Sequence, residues 1–197
     1  MQEMRKSYVI GLLILLSIVL VVLFLLLPKH PPLTEDLRLK QAVNIVSSGP
    51  MNSMESPMVG IGILKDLVEE NPSNDKALFQ LGKFAHQSGQ YDKAIEWFNK
   101  VLAVNSNHLP SWVLKGESEL NTGKTSEALQ SFESALRIDS TETNALFYAG
   151  RIYEFEGNLA MANARYKQFL RNNKEESEIN DSVKVFVKRI DIKLNNK

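Results

Sequence analysis

Gly123-Lys124-Thr125 reads like the end of a phosphate-binding loop, where backbone amides cradle phosphates, a lysine reaches them and a hydroxyl holds magnesium. That loop needs a further glycine at position 118, which is Ser118, and a strand before it. Gly60-x-Gly62 lacks the third glycine of a dinucleotide-binding turn. The three histidines, His30, His86 and His108, stand at no metal-ligand spacing, and the chain has no cysteine to complete a set. Glu69-Glu70 and Glu175-Glu176 are neighbours in sequence, so on a helix they diverge instead of facing each other as an acid and a base. No nucleophile, base and orienting group can be assembled from these residues. The expectation is a protein that is not an enzyme, with no cofactor and no metal.

What the chain does carry is a period. Gly82, Gly116 and Gly150 are 34 apart, as are Gly89, Gly123 and Gly157, Ala94, Ala128 and Ala162, and Phe98, Phe132 and Tyr166. Twelve matches in one phase mark a stacked array of helical hairpins. Each first glycine is expected where two antiparallel helices cross, with the alanine facing it from the second helix. Leu78, Trp112 and Leu146, four residues earlier on the same face, are expected to fill the gap between helices. Each second glycine is expected to end the first helix in a left-handed conformation.

These residues resemble the tetratricopeptide repeat (TPR) family, whose pattern runs W-x2-L-G-x2-Y, then A, F, A and P. The middle repeat here reads Trp112, Gly116, Gly123, Ala128, Phe132 and Ala135; Ser106 and Ser140 replace the family's proline, and Lys115 stands where the first repeat has Leu81. The resemblance covers about half of the chain and implies an all-α solenoid. It also implies contacts from the second, fifth, ninth and twelfth positions of each inner helix. Those are Lys76, Phe79, Lys83 and His86; Pro110, Val113, Glu117 and Leu120; and Asn144, Phe147, Arg151 and Glu154, with Phe155 beside them. The carboxylate clamp of the family's chaperone-tail binders is missing, since its positions hold Phe79, Lys83, Leu114, Asn144 and Tyr148. Phe79, Val113, Leu120 and Phe147 are expected to line a groove for a helix or extended peptide, or else Phe79, Phe147 and Phe155 pack against neighbouring repeats.

Outside the repeats, Tyr8 to Leu27 is a run of twenty uncharged, mostly apolar residues. At helical rise it would span ~30 Å, the thickness of a bilayer core. Arg5 and Lys6 before it predict a single-pass inner-membrane anchor, with a cytoplasmic N-terminus and periplasmic repeats. The expected layout is 1–27 with the transmembrane anchor at 8–27, and 28–57 as a proline-rich stalk, short helix and loop. A degenerate repeat helix at 58–74 is followed by three repeats at 75–108, 109–142 and 143–174, and by a capping helix at 175–197. Asn180-Asp181-Ser182 is a glycosylation sequon, read as coincidence. Lys plus Arg and Asp plus Glu number 23 each, so no overall field points to nucleic acid.

The expected function is a membrane-tethered adaptor or scaffold that recruits a protein to a membrane complex, in envelope protein export or assembly. The layout also resembles TPR subunits of cytochrome c maturation (haem-lyase) complexes. A permanent structural subunit of a membrane complex is the remaining reading.

Overall fold

The computed structural model describes residues 15–17, 19, 33–47, 56–174 and 177–195. It divides into two compact units, Met1–Arg38 and Leu39–Lys197. All its regular elements are α-helices: α1 (Glu35–Ser47), α2 (Pro57–Glu70), α3 (Asp75–Gln87), α4 (Tyr91–Val104), α5 (Leu109–Asn121), α6 (Thr125–Ile138), α7 (Thr143–Phe155), α8 (Leu159–Asn172) and α9 (Glu178–Asn195). The all-helical expectation holds for these residues.

The single-pass membrane placement does not hold. Among the described residues no helix is long and apolar enough to cross a membrane. Of Tyr8–Leu27 only residues 15–17 and 19 are described; the rest, with Arg5, Lys6 and His30, lie outside the described residues. The prediction rested on hydropathy and flanking charge alone, and no spanning helix among the described residues supports it.

Within the second unit, successive helices from α2 to α9 pack on one another, and α3 also touches α5. The first helix of each hairpin ends in the same way. The amides of Gly89 and Gln90 donate to the carbonyls of His86 and Ala85, and the same pair of bonds recurs at Gly123–Lys124 and Gly157–Asn158. This closure requires a left-handed residue, and Gly89, Gly123 and Gly157 have φ of 71°, 76° and 77°. Gly123-Lys124-Thr125 is therefore the turn into α6, with Lys124 paired to Asp92 at 2.8 Å.

The crossing itself differs from expectation. A Cβ on Gly82, Gly116 or Gly150 would come within 2.7 Å, 2.8 Å and 2.7 Å of the rings of Phe98, Phe132 and Tyr166. The glycine faces the aromatic of the second helix, not the alanine. A flat ring on a bare backbone fills the crossing better than two small residues, which would leave a void. From the next helix pair or α9, Leu114 packs against the cluster that holds Phe98, Tyr148 stacks on Phe132 at 5.2 Å, and Phe186 lies 5.6 Å from Tyr166. Leu78 and Leu146 are buried as expected, whereas Trp112 is half-buried and its indole N–H donates to the Ser106 carbonyl at 2.9 Å.

At the other end of α2, a Cβ on Gly60 would meet the Ala42 carbonyl at 2.8 Å, so α1 from Leu39 onward lies close against α2. Ala42 joins Ile61, Leu64, Leu67, Ala77 and Leu81 in one apolar cluster. On α9, Val183 and Ile190 are buried on α8, while Ile179, placed on the same stripe by the sequence pattern, is exposed. Asn180 is buried and exchanges side-chain hydrogen bonds with Asn173, which makes glycosylation there sterically untenable.

Candidate partner-binding site

The first helices of the hairpins, α3, α5 and α7, carry the residues expected to meet a partner. The starts of α3 and α5 are held by side chains. Asn74 accepts from the Ala77 amide at 2.9 Å and caps α3. His108 caps α5, its Nδ1 accepting from the Ser111 amide at 3.3 Å and facing the Ser111 hydroxyl at 2.8 Å. Such caps satisfy amides that the first turn leaves without a helical partner. His108 is half-buried, and its ring lies 4.7 Å from Phe79. Burial pulls its imidazole below the ordinary value, partly offset by the charge of Asp75.

Phe79 is thus occupied from two sides, by His108 and by Phe98 at 6.1 Å. Val113 is 6% exposed and belongs to the core cluster around Phe132 and Leu146, so it offers no apolar anchor to solvent. Phe147 is half-buried between Tyr148 at 5.4 Å and Phe169 at 5.9 Å. Phe79, Val113 and Phe147 therefore do not form an open apolar row. Phe155 is the opposite case, at 86% exposure.

The polar candidates divide by helix. His86 Nδ1 lies 2.9 Å from the Ser118 hydroxyl, and its Nε2 lies 3.5 Å from the Glu117 carboxylate. Ser118 donates to the Leu114 carbonyl at 2.7 Å, so Nδ1–H is the donor to Ser118 and Nε2 turns to Glu117. Burial lowers the His86 imidazole; burial, then the Glu142 carboxylate, raises the Glu117 carboxyl. Lys83 is half-buried on the same helix as His86. Glu154 is committed within the fold, accepting from the Tyr166 hydroxyl at 3.0 Å and from Arg189. Leu120, Arg151 and Phe155 meet around one pocket with Thr125, Tyr148 and Ile152.

Ser118, His86 and Glu117 have the residue types of a hydrolytic triad but not its chemistry. Ser118 is fully buried in mid-helix and its proton is used by a backbone carbonyl, so no substrate carbon can approach it. Among the described residues no cluster of three or more His, Asp or Glu side chains is placed to hold a metal.

Sequence reading missed two polar networks. Glu119, buried at the heart of the middle hairpin, takes Lys115 at 2.8 Å and the Ser131 hydroxyl at 2.6 Å. Glu133 on α6 holds Arg165 of α8 through three hydrogen bonds at 3.1 Å, 2.9 Å and 2.7 Å and accepts from the Tyr153 hydroxyl at 3.1 Å. The first was signalled: Lys115 breaks the apolar pattern, and Glu119 follows at the i+4 spacing of an ion pair.

Helical hairpins, a glycine–aromatic crossing and a left-handed glycine at each turn define a helical-repeat protein. The family model described as "Anaphase-promoting complex, cyclosome, subunit 3" matches residues 61–135, and the one described as "Tetratricopeptide repeat" matches residues 144–175. The chain is 29% identical over 103 residues to human "Tetratricopeptide repeat protein 21B", covering 51% of this chain and 8% of that protein. It is 29% identical over 85 residues to "Anaphase-promoting complex subunit 3" of Dictyostelium discoideum, covering 43% of this chain and 9% of that one. The chain thus spans less than a tenth of the length of either relative. Among solved structures it is similar to one of MamA, with a TM-score of 0.61 and 24% identity over 73% of this chain and 75% of that one. It is also similar to the Arabidopsis OM64 TPR domain, with a TM-score of 0.53 and 19% identity over 59% of this chain and 93% of that one. These structures share the fold. The chain is a tetratricopeptide repeat protein.

Proposed function

We propose that this protein is a non-catalytic adaptor whose α3, α5 and α7 take a segment of a protein partner. One observation carries the reading: the crossing residues recur in every hairpin, whereas the solvent-facing residues of the first helices do not. Lys83, Glu117 and Arg151 stand at equivalent positions, as do Gln87, Asn121 and Phe155, and each set mixes chemistries that the crossing does not use. A repeat array supplies a continuous surface on which such differences specify a partner. The Ser118–His86–Glu117 grouping among the described residues is closed to substrate, which supports the non-catalytic reading. The envelope-export and cytochrome c maturation roles expected from the sequence are not part of the proposal.

The test is site-specific photocrosslinking in cells, from Lys83 and Asn144 on the first helices and from Lys100 on α4. The expected outcome is one partner protein captured from Lys83 and Asn144 and absent from Lys100. Capture from Lys100 alone would move recruitment to the second helices.

A further inference from the structure

Arg151 and Phe155 lie one turn apart on α7 and flank an open pocket of about 320 Å³. Its other walls are Leu120 at the end of α5, Thr125 at the start of α6, and Tyr148 and Ile152 of α7. Phe155 is 86% exposed, more than any other large apolar side chain among the described residues. An aromatic held in water beside a pocket is the usual mark of a surface that a partner covers.

The charge at the mouth is specific. The Arg151 guanidinium carbon lies 5.9 Å from the ring centres of both Phe147 and Phe186. Ring contacts steady the guanidinium and leave its in-plane N–H edge for an acceptor. Among the described residues Arg151 meets no carboxylate. Two carboxylates of the first helices are otherwise engaged, Glu154 by Arg189 and Tyr166, and Glu117 beside His86. A cation without an ion pair among the described residues therefore sits beside the pocket's apolar walls.

We propose that this pocket docks a partner segment in which a bulky apolar side chain stands beside an Asp or Glu. The apolar group would rest on Leu120 and Phe155, with the carboxylate on Arg151. The inference rests on the adaptor reading and names the chemistry of its partner. An internal acidic side chain is the source, because a chain-terminal carboxylate is held by a nest of several donors. Arg151 is the one cation among the described lining residues.

The test uses the full chain in mild detergent, because residues 8–27 are uncharged and apolar. Random peptides displayed inside a coat-protein loop, with no free C-terminus, are selected on it. The selected sequences are then measured by fluorescence anisotropy as N-acetylated, C-amidated peptides. Selected peptides should pair Leu, Ile, Phe or Met with Asp or Glu. Phe155→Ala and Arg151→Glu should each weaken binding about 10-fold or more, with the helical circular dichroism signal unchanged. Replacing the peptide's acid with Lys should restore binding to Arg151→Glu. Acid-free selected peptides, no selection at all, or affinity that survives both substitutions would overturn the pocket. If crosslinks from Lys83 and Asn144 still reach a partner in those cases, the adaptor reading stands and only the pocket falls.

Discussion

Two hairpins solve the same packing problem with opposite chemistry. At positions 34 apart, α3–α4 places Leu81, Ala85 and Trp97 where α5–α6 places Lys115, Glu119 and Ser131. Leu81 and Ala85 are buried and Trp97 half-buried, in apolar surroundings. The second set is a closed polar network, in which Lys115 reaches both Glu119 at 2.8 Å and Ser131 at 3.1 Å. In the third hairpin the matching residues are Ala149, Tyr153 and Arg165, and the last two reach across to Glu133 of the neighbouring hairpin. The difference teaches that these positions require volume and satisfied partners, not apolarity. Gly82, Gly116 and Gly150 require the absence of a side chain, and there the three hairpins agree.

The comparison is broken most strongly at Glu119. Glu119→Ala leaves the Lys115 ammonium facing a buried hydroxyl, and loss of one partner from a buried pair costs about 3–5 kcal/mol. Chemical unfolding should show that loss. Importing the first hairpin's residues together, Lys115→Leu with Glu119→Ala and Ser131→Trp, should return stability to within about 1 kcal/mol of the parent, since apolar replacement of a whole buried network is often neutral. A triple variant as weak as the single would mean that the two solutions are not interchangeable.

Next in size is the glycine crossing. Gly116→Leu drives a side chain into Phe132, whose ring would stand 2.8 Å from its Cβ, at a cost of about 1–3 kcal/mol or more. Gly62 on α2 is a helical glycine with open space around its Cβ position. Gly62→Ala should stabilise by about 0.5–1 kcal/mol. Melts in which both substitutions move the same way would refute the distinction between a crossing glycine and an incidental one.

The smallest effect is at the α3–α5 seam, where His86 faces Ser118 and Glu117, with Tyr91 at 5.6 Å and Glu142, Tyr148 and Arg151 nearby. Glu117 titrates above its ordinary 4.5 in the fold, so its contribution is present below pH 4.5 and is lost as pH rises through the raised value. His86 titrates below its ordinary 6.5, so its contribution is full above pH 6.5 and is lost as pH falls toward the lowered value. Between those two pH values the groups oppose each other. Glu117→Gln should make Tm rise more steeply with pH over that window, and His86→Asn should flatten the rise. Parallel curves for parent and variants would show that the seam does not titrate with folding.

Much of the fold was legible before any coordinates. Gly89, Gly123 and Gly157 announced three turns because no other residue takes a left-handed conformation cheaply, and the period in Ala and Phe announced the hairpins. The candidate site was far less legible. Val113 and Phe155 were both assigned to the partner face by position, yet one is buried and the other is almost wholly in water. In the sequence His108 is only a histidine at no metal-ligand spacing, and its role as a cap on Ser111 and a lid on Phe79 depends on the seam between α3 and α5. The Glu133–Arg165 pair joins residues 32 apart on different hairpins, a contact without a local pattern to announce it.

By itself the sequence determined what is local and repeated: helix lengths, turn closures and the positions where a side chain is forbidden. These follow from backbone sterics and short-range hydrogen bonds, which act within one hairpin. The tertiary structure decided what depends on neighbours: that an aromatic, not an alanine, covers each crossing glycine, and which acids are spent on internal partners. It also left Arg151 and Phe155 open to solvent. Burial and pairing are properties of helix surfaces brought together in space, within a hairpin or between neighbouring ones, so only packing assigns them.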